Sequence, residues 1–237
     1  MTTLVSDQRV IYFQCMSAAV QPRWRRQPEA RPGQILDAAL EVFAECGVAT
    51  ARLEDIGKRA GVSKATIYLY FPNKEELFRG VIRGTIVSAL ESGERAVQAF
   101  EGSATDGFIA QMRGYWEFIR SPKFAPIFRL VHAELAAYPD LARFYAEEVV
   151  YRAHRLIATI IRRGVDQGEF REVDPLVAAR LVSAQFVMHG VWCRHSDTFT
   201  WLNKKSDADV LDDLIEFNLA AICKKPPAYV RRGKKSK

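Results

Sequence analysis

The sequence lacks the spacings on which most metal and redox chemistry rests. Its 237 residues include four cysteines, Cys15, Cys46, Cys193 and Cys223, with no CxxC and no Cys/His metal spacing. They read as free thiols of a reducing compartment, Cys46 and Cys223 as small core residues. The four histidines, His132, His154, His189 and His195, form no HExxH motif or tight cluster. No metal and no cofactor is therefore expected. A catalytic constellation is missing too: Glu134, Asp140, Glu147 and Glu148 are scattered carboxylates that read mostly as solvated helical faces. An enzyme is not the first expectation. No run reads as long enough to span a membrane, so the expected location is the cytoplasm. Residues 10–20, followed by Pro22, imitate a signal peptide, but Gln14 and Ser17 interrupt them and Asp7 weakens the basic start. Met16 is read as the true start, with residues 1–15 an over-extended leader; an intact mass of the native protein checks this. Neither β alternation nor an internal repeat nor a low-complexity tract is present.

What is present is an ordinary globular composition, 49% hydrophobic and 26% charged, in a chain long enough for one or two domains. The net charge of +6 sits mainly at the ends. Arg9, Arg23, Arg25, Arg26 and Arg31 outweigh Asp7 and Glu29, and seven lysines and arginines after residue 223 face no acid. Overall charge thus says little about partners. Between residues 50 and 74, however, Arg52, Lys58, Arg59, Lys64 and Lys74 outnumber Glu54 and Asp55, a local footprint for an anion.

Apolar periodicity predicts helices throughout. The first covers about 34–46, on Ile35, Ala39, Val42, Phe43 and Cys46, with Gly47 as its stop. A helix over 53–60 buries Leu53, Ile56 and Ala60; Gly61 closes it with a positive φ, and Ser63 caps the next. Two short helices joined by a tight glycine turn are a helix-turn-helix. At about 100° per residue from Lys64, Ile67 and Phe71 form the core-facing edge of the second helix. Its opposite edge holds Ala65 and Leu69, flanked by Lys64 and Tyr68 on one side and Thr66 and Tyr70 on the other. Such a face fits a major groove, with phosphates on both sides and base edges beneath. Pro72 ends this helix, and Asn73 caps the fourth, with Glu76 in the capping-box position. Lys74 then stands in a first turn, where free N–H groups and a cation bind one phosphate.

At these residues the chain closely resembles the tetracycline-repressor-like (TetR) family of bacterial transcription regulators. The similarity runs from Gln34-Ile35-Leu36-Asp37-Ala38-Ala39 through Phe43, Gly47, Ile56, Ala60-Gly61-Val62-Ser63 and Thr66-Ile67-Tyr68-Leu69-Tyr70-Phe71 to Lys74-Glu75-Glu76-Leu77. It is specific over about residues 33–80. Two positions depart from the family pattern: Arg52 stands where Ser or Thr usually caps the helix, and Ala65 where Gly often occurs. The resemblance implies operator DNA as partner, a fourth helix joining a reading head to a sensing body, and a homodimer through helices eight and nine.

Beyond the motif, helices are expected over about 106–120, 123–137, from Pro139 to about 168, from Pro175 to about 195, and over 207–223. The eighth is apolar on nearly every side and should be buried on both faces. The expected fold is all-α: an N-terminal three-helix helix-turn-helix DNA-binding domain (33–80) and a larger helical ligand-binding and dimerisation domain (81–223). A basic arm (1–32) and a basic tail (224–237) flank them, and Arg23-Trp24-Arg25-Arg26 in the arm is a further DNA-contact candidate. Expected DNA contacts are Arg52, Lys64, Ala65, Thr66, Tyr68, Leu69, Tyr70 and Lys74. Met112, Trp116, Phe128, His132 and Phe186 are candidate linings for a small, mainly apolar effector. The expected function is a transcriptional repressor released from a palindromic operator by that effector. The alternative is a helical small-molecule-processing enzyme with a structural N-terminal unit.

Overall fold

The structure is a computed structural model that describes residues 31–134, 137–195, 198 and 205–225. The basic arm before residue 31, with its arginine cluster, and the tail beyond residue 225 lie outside the described residues. Among the described residues the fold is all-α. Its helices are α1 (Arg31–Thr50), α2 (Leu53–Ala60), α3 (Lys64–Tyr70), α4 (74–99), α5 (Ala104–Arg120), α6 (Phe124–Glu134), α7 (139–166), α8 (Pro175–Arg194) and α9 (Asp207–Ile222). A single backbone pairing of extended type, Phe170 with Cys223, ties the loop before α8 to the end of α9.

Helix ends follow local chemistry. Side-chain oxygens of Ser63, Asn73, Ser103 and Asp174 accept backbone N–H groups in the first turns of α3, α4, α5 and α8. Ser206 and Asp209 form a reciprocal capping box on α9. The box expected at Asn73 is only half made, because the Glu76 carboxylate turns to Arg79 and Arg83 instead. Gly61 takes φ 67°, ψ 33° and closes α2, as its position requires. Cys46, expected in the core, is exposed beside Glu45, past the edge of the buried stripe of α1.

Two cores form. One gathers Ile35, Phe43, Ile56, Ile67, Phe78 and Val131, with Phe43 and Phe78 edge to face at 5.6 Å. The other gathers Phe108, Met112, Ile161, Phe186, Leu214 and Leu219. The first core reaches beyond the motif: α4 to Leu90, most of α6, and α7 to Val149 all belong to it. Both long helices contain a π turn, Arg83–Val87 in α4 and Ala146–Tyr151 in α7, and the two turns touch. Neither interruption was predicted from periodicity, which a single extra residue per turn leaves almost unchanged.

Polar bridges bind α6 to α1. Lys123 pairs with Asp37 at 2.8 Å, Arg129 donates to the Ala44 carbonyl, and Glu134 accepts from the Val48 amide at 2.9 Å. The last contact depends on Gly47, whose φ 79°, ψ 162° is open essentially to glycine alone. A Cβ there would also stand 3.2 Å from the Glu134 carboxylate. Gly47→Ala should therefore lower stability by about 1–3 kcal/mol. A urea midpoint equal to the parent's would show that this turn bears no strain.

Candidate nucleic-acid interface and helical body

Only one side chain of α3, Ile67, is fully buried; Leu69, on the opposite side, is 81% exposed. Lys64, Ala65, Tyr68 and Tyr70 are exposed with it. Thr66 is half-buried, its hydroxyl 2.9 Å from Ser63 Oγ at the cap. The face therefore has an apolar ridge of Ala65 and Leu69 between two phenolic shoulders. Leu69 and Ala65 offer contact but no hydrogen bonds, while the Tyr68 and Tyr70 phenols offer donors at the flanks.

The cations around this face are less free than their number implies. Lys64 Nζ lies 2.8 Å from Glu54 Oε1 and 5.9 Å from the Tyr68 ring centre. That hydrogen bond lowers the Glu54 pKa and raises that of Lys64. Arg59 is held by both oxygens of Glu45, at 2.6 and 3.0 Å. Lys74 donates to the carbonyls of Ala49 and Ala51, at 2.6 and 3.2 Å, and so fastens the end of α1 to the start of α4. An ammonium has three donors, so one remains. Arg52 occupies the N-cap of α2 with no side-chain bond to the helix, and both it and Lys58 are exposed. The Lys64–Glu54 pair is solvent-exposed and therefore weak and easily exchanged. Glu54 and Glu45 were not singled out from the sequence. No spacing rule marks them, because they meet their cations across the turn of the motif and across α1.

The five candidate effector contacts do not lie together. Met112, Trp116 and Phe186 are buried in the second core, with the Trp116 and Phe186 rings edge to face at 6.2 Å. Phe128 is half-buried at the rim of that core. His132 is exposed: its Nδ1 is 2.8 Å from the Phe128 carbonyl and its ring centre 4.0 Å from that of Phe128. The expectation that His132 reaches an interior cavity fails because this local bond turns the ring back along its own helix. A groove of about 490 Å³ does run between α4 and α7, but Glu94, Gln98, Tyr151, Arg152 and Leu156 are among its lining and none of the five candidates is. Arg152 closes part of it by pairing with both oxygens of Glu94, at 2.6 and 2.7 Å.

The second core also holds polar groups. Tyr115 stacks on Phe186, and its hydroxyl lies 3.0 Å from Ser183 Oγ. Burial pushes the Tyr115 phenol up to about 12. Gln111, one turn earlier, has both amide atoms withdrawn from solvent with no hydrogen-bond partner among the described residues. Leaving such a group unpaired costs about 1–3 kcal/mol. The signal for it was legible: a glutamine inside the stripe Phe108, Met112, Tyr115.

Comparison with known proteins gives this arrangement a family. Residues 35–81 match the family described as bacterial regulatory proteins, tetR family, and residues 101–200 match the tetracyclin repressor-like C-terminal domain. The fatty acid metabolism regulator protein of Bacillus subtilis is 25% identical over 158 residues, 66% of this chain and 80% of that one. The HTH-type transcriptional activator FasR of Mycolicibacterium smegmatis is 36% identical over 98 residues, 41% of this chain and 44% of that one. Among solved structures, SmeT, the repressor of a Stenotrophomonas maltophilia multidrug efflux pump, superposes with a TM-score of 0.65 at 22% identity, covering 86% of this chain and 96% of its own. With both its reading head and its helical body matched, the chain belongs to the TetR family of DNA-binding transcriptional regulators.

Proposed function

We propose that the protein is a homodimeric repressor that grips a palindromic operator with two copies of α3 and lets go when a small, mainly apolar effector enters its helical body. The observation that carries this is the outward face of α3, with Leu69 81% exposed while Ile67 anchors the helix. An exposed leucine between tyrosines is costly in water but fits the thymine methyls of a major groove. In this reading residues 33–80 are the reading unit and 81–223 the sensing and pairing unit. Tyr68, Tyr70, Thr66, Arg52 and Lys74 hold phosphates, and Lys64 exchanges Glu54 for a base or phosphate. Such a protein works in the cytoplasm, on the chromosome. The enzyme alternative draws no support from the relatives, which are regulators.

Dimerisation rests on a further observation. In the single chain α8 exposes Leu176, Val177, Leu181 and Met188, and α9 exposes Phe217, 64% of it. By length and composition α8 would even pass for a membrane span, against the expectation that no run would. Its inner face is committed to the core through Ala179, Val182 and Phe186, so the outer face suits a second copy. Two copies also supply the length of contacted DNA that one short helix cannot. A mainly apolar effector suits the apolar second core; SmeT and the Bacillus subtilis FadR were solved with triclosan and with stearoyl-CoA.

Leu69→Ala should change which duplexes are selected from a random pool more than it changes overall affinity. Lys74→Ala should weaken binding to all sequences and lower the salt slope by about one. The opposite pattern would reverse the two roles. Glu54→Gln, by freeing Lys64, should tighten binding to any duplex, with the gain lost as salt rises; binding unchanged at low salt would show that Lys64 does not reach DNA. Phe217→Asp should cost the dimer several kcal/mol by burying an unpaired charge. Light scattering on the variant at micromolar concentration should then give the mass of a monomer, and a parent that is itself monomeric would defeat the model.

A further inference from the structure

We propose that Gln111 is the polar anchor of the effector site, and that the effector is an uncharged molecule carrying a hydrogen-bond donor and acceptor side by side, as an amide, lactam or imide does, on an apolar body. This rests on the regulator reading and specifies the ligand of that same site.

Gln111 sits on α5, the helix that gives Phe108, Met112 and Trp116 to the second core. Around that helix, Tyr115 lies roughly 40° from it and Phe108 roughly 60°, both toward the buried side. Arg113 and Glu117 lie roughly 200° and 240° around, on the far side. Gln111 is half-buried at the edge of the face that carries Phe108, Met112 and Tyr115, with both its amide atoms out of solvent and without a hydrogen-bond partner among the described residues. A side chain so placed is a standing demand for one acceptor, to meet Nε2, and one donor, to meet Oε1.

The surrounding groups define the charge that can answer it. Close to α5 stand the Ser183 hydroxyl, bonded to Tyr115, and, from the adjoining first core, the Tyr145 phenol, near enough to Tyr115 to feel its charge. Burial and the nearness of Tyr115 push Tyr145 up to about 12, so both phenols stay neutral at physiological pH. An amide, two phenols and a hydroxyl offer nothing to neutralise a buried charge. A carboxylate would satisfy Nε2 but bring only acceptors to Oε1, and it would bring an unpaired charge as well. A hydrocarbon would satisfy neither atom. An amide or lactam edge pairs with both. Phe186, stacked on Tyr115 and edge-on to Trp116, provides the aromatic wall for its apolar part.

The test uses the full chain without DNA and three probes of one shape: 4-phenylbutanamide, 4-phenylbutanoate and butylbenzene, titrated by calorimetry near neutral pH. The amide should bind at least about ten-fold more tightly than either of the others, the scale of one or two well-made hydrogen bonds. Gln111→Leu should remove that preference while leaving butylbenzene within about two-fold of its parent affinity. Without ligand, Gln111→Leu or the more flexible Gln111→Met should melt at a higher temperature than the parent, because an unpaired buried amide is gone. Tighter binding of the carboxylate, equal amide affinity in parent and Gln111→Leu, or no binding by any probe would overturn the proposal. So would a lower melting temperature in both variants, which would mean that the amide is already paired, by ordered water, in the free protein. Operator release is read separately. An amide that binds through Gln111 without loosening DNA would defeat the regulator reading and leave the subsite standing, and release by the carboxylate with no dependence on Gln111 would do the reverse.

Discussion

A helix of seven residues does not hold itself in water, and α3 is held by one buried side chain, Ile67. Everything the reading face offers follows from that anchorage. With Ile67 fixed inward, the period of the helix turns Leu69 outward and sets the two tyrosines on its flanks. The core that receives Ile67 is not made by the three small helices alone. It includes Phe78 and Val81 of α4, Ile127 and Val131 of α6, and Phe144 of α7. The reading helix therefore inherits its rigidity from helices that also run into the body.

In the proposed function, that sharing is the physical route from a ligand in the second core to the face of α3. α4 and α7 run from the first core into or beside the second, and α6 runs the other way, from Phe124 in the second core to Val131 in the first. The bridges Lys123–Asp37, Arg129–Ala44 and Glu134–Val48 bind α6 and the residue before it along α1, while Lys74 ties the start of α4 to the end of α1. Where the two long helices leave the first core, each carries a π turn, and the turns pack together. A wider turn has a looser hydrogen-bond ladder than the α-helix on either side. Bending is thus easiest at the level where the two cores divide.

The order of the helices was legible in the sequence almost without loss, because caps and stops act through near neighbours: Ser63 on Thr66, Asp174 on Val177, Gly61 on its own backbone. The edges of the reading face were legible for the same reason, since Ile67 and Leu69 differ by two positions on one short helix. What was hidden were meetings between residues far apart in the chain. Lys64 looks like a free cation until Glu54 is seen beside it, and Lys74 looks like a phosphate ligand alone until the carbonyls of Ala49 and Ala51 appear. His132 failed as a lining residue for a local reason that periodicity does not register: an imidazole four residues beyond a carbonyl bonds back to it. Gln111 was passed over because attention to an apolar stripe rewards apolar residues, whereas the informative position is the one that breaks it.

The same lesson applies to α8, whose sequence is ambiguous on hydropathy alone. Twenty residues of mostly apolar character fit a membrane span, the centre of a soluble core, or a helix between two copies. The geometry separates these. A span in lipid has no reason to place Ser183 against a buried phenol, to pack Phe186 between two aromatic rings, or to hold Gln185 against Asn218 of α9 at 2.8 Å. A central core helix has no reason to leave Leu181 and Met188 in water. One face engaged in specific polar and aromatic contacts and the other bare and apolar fits the proposed pairing of two copies. Phe217 on α9 is bare as well, which is why the proposed pairing draws on both helices.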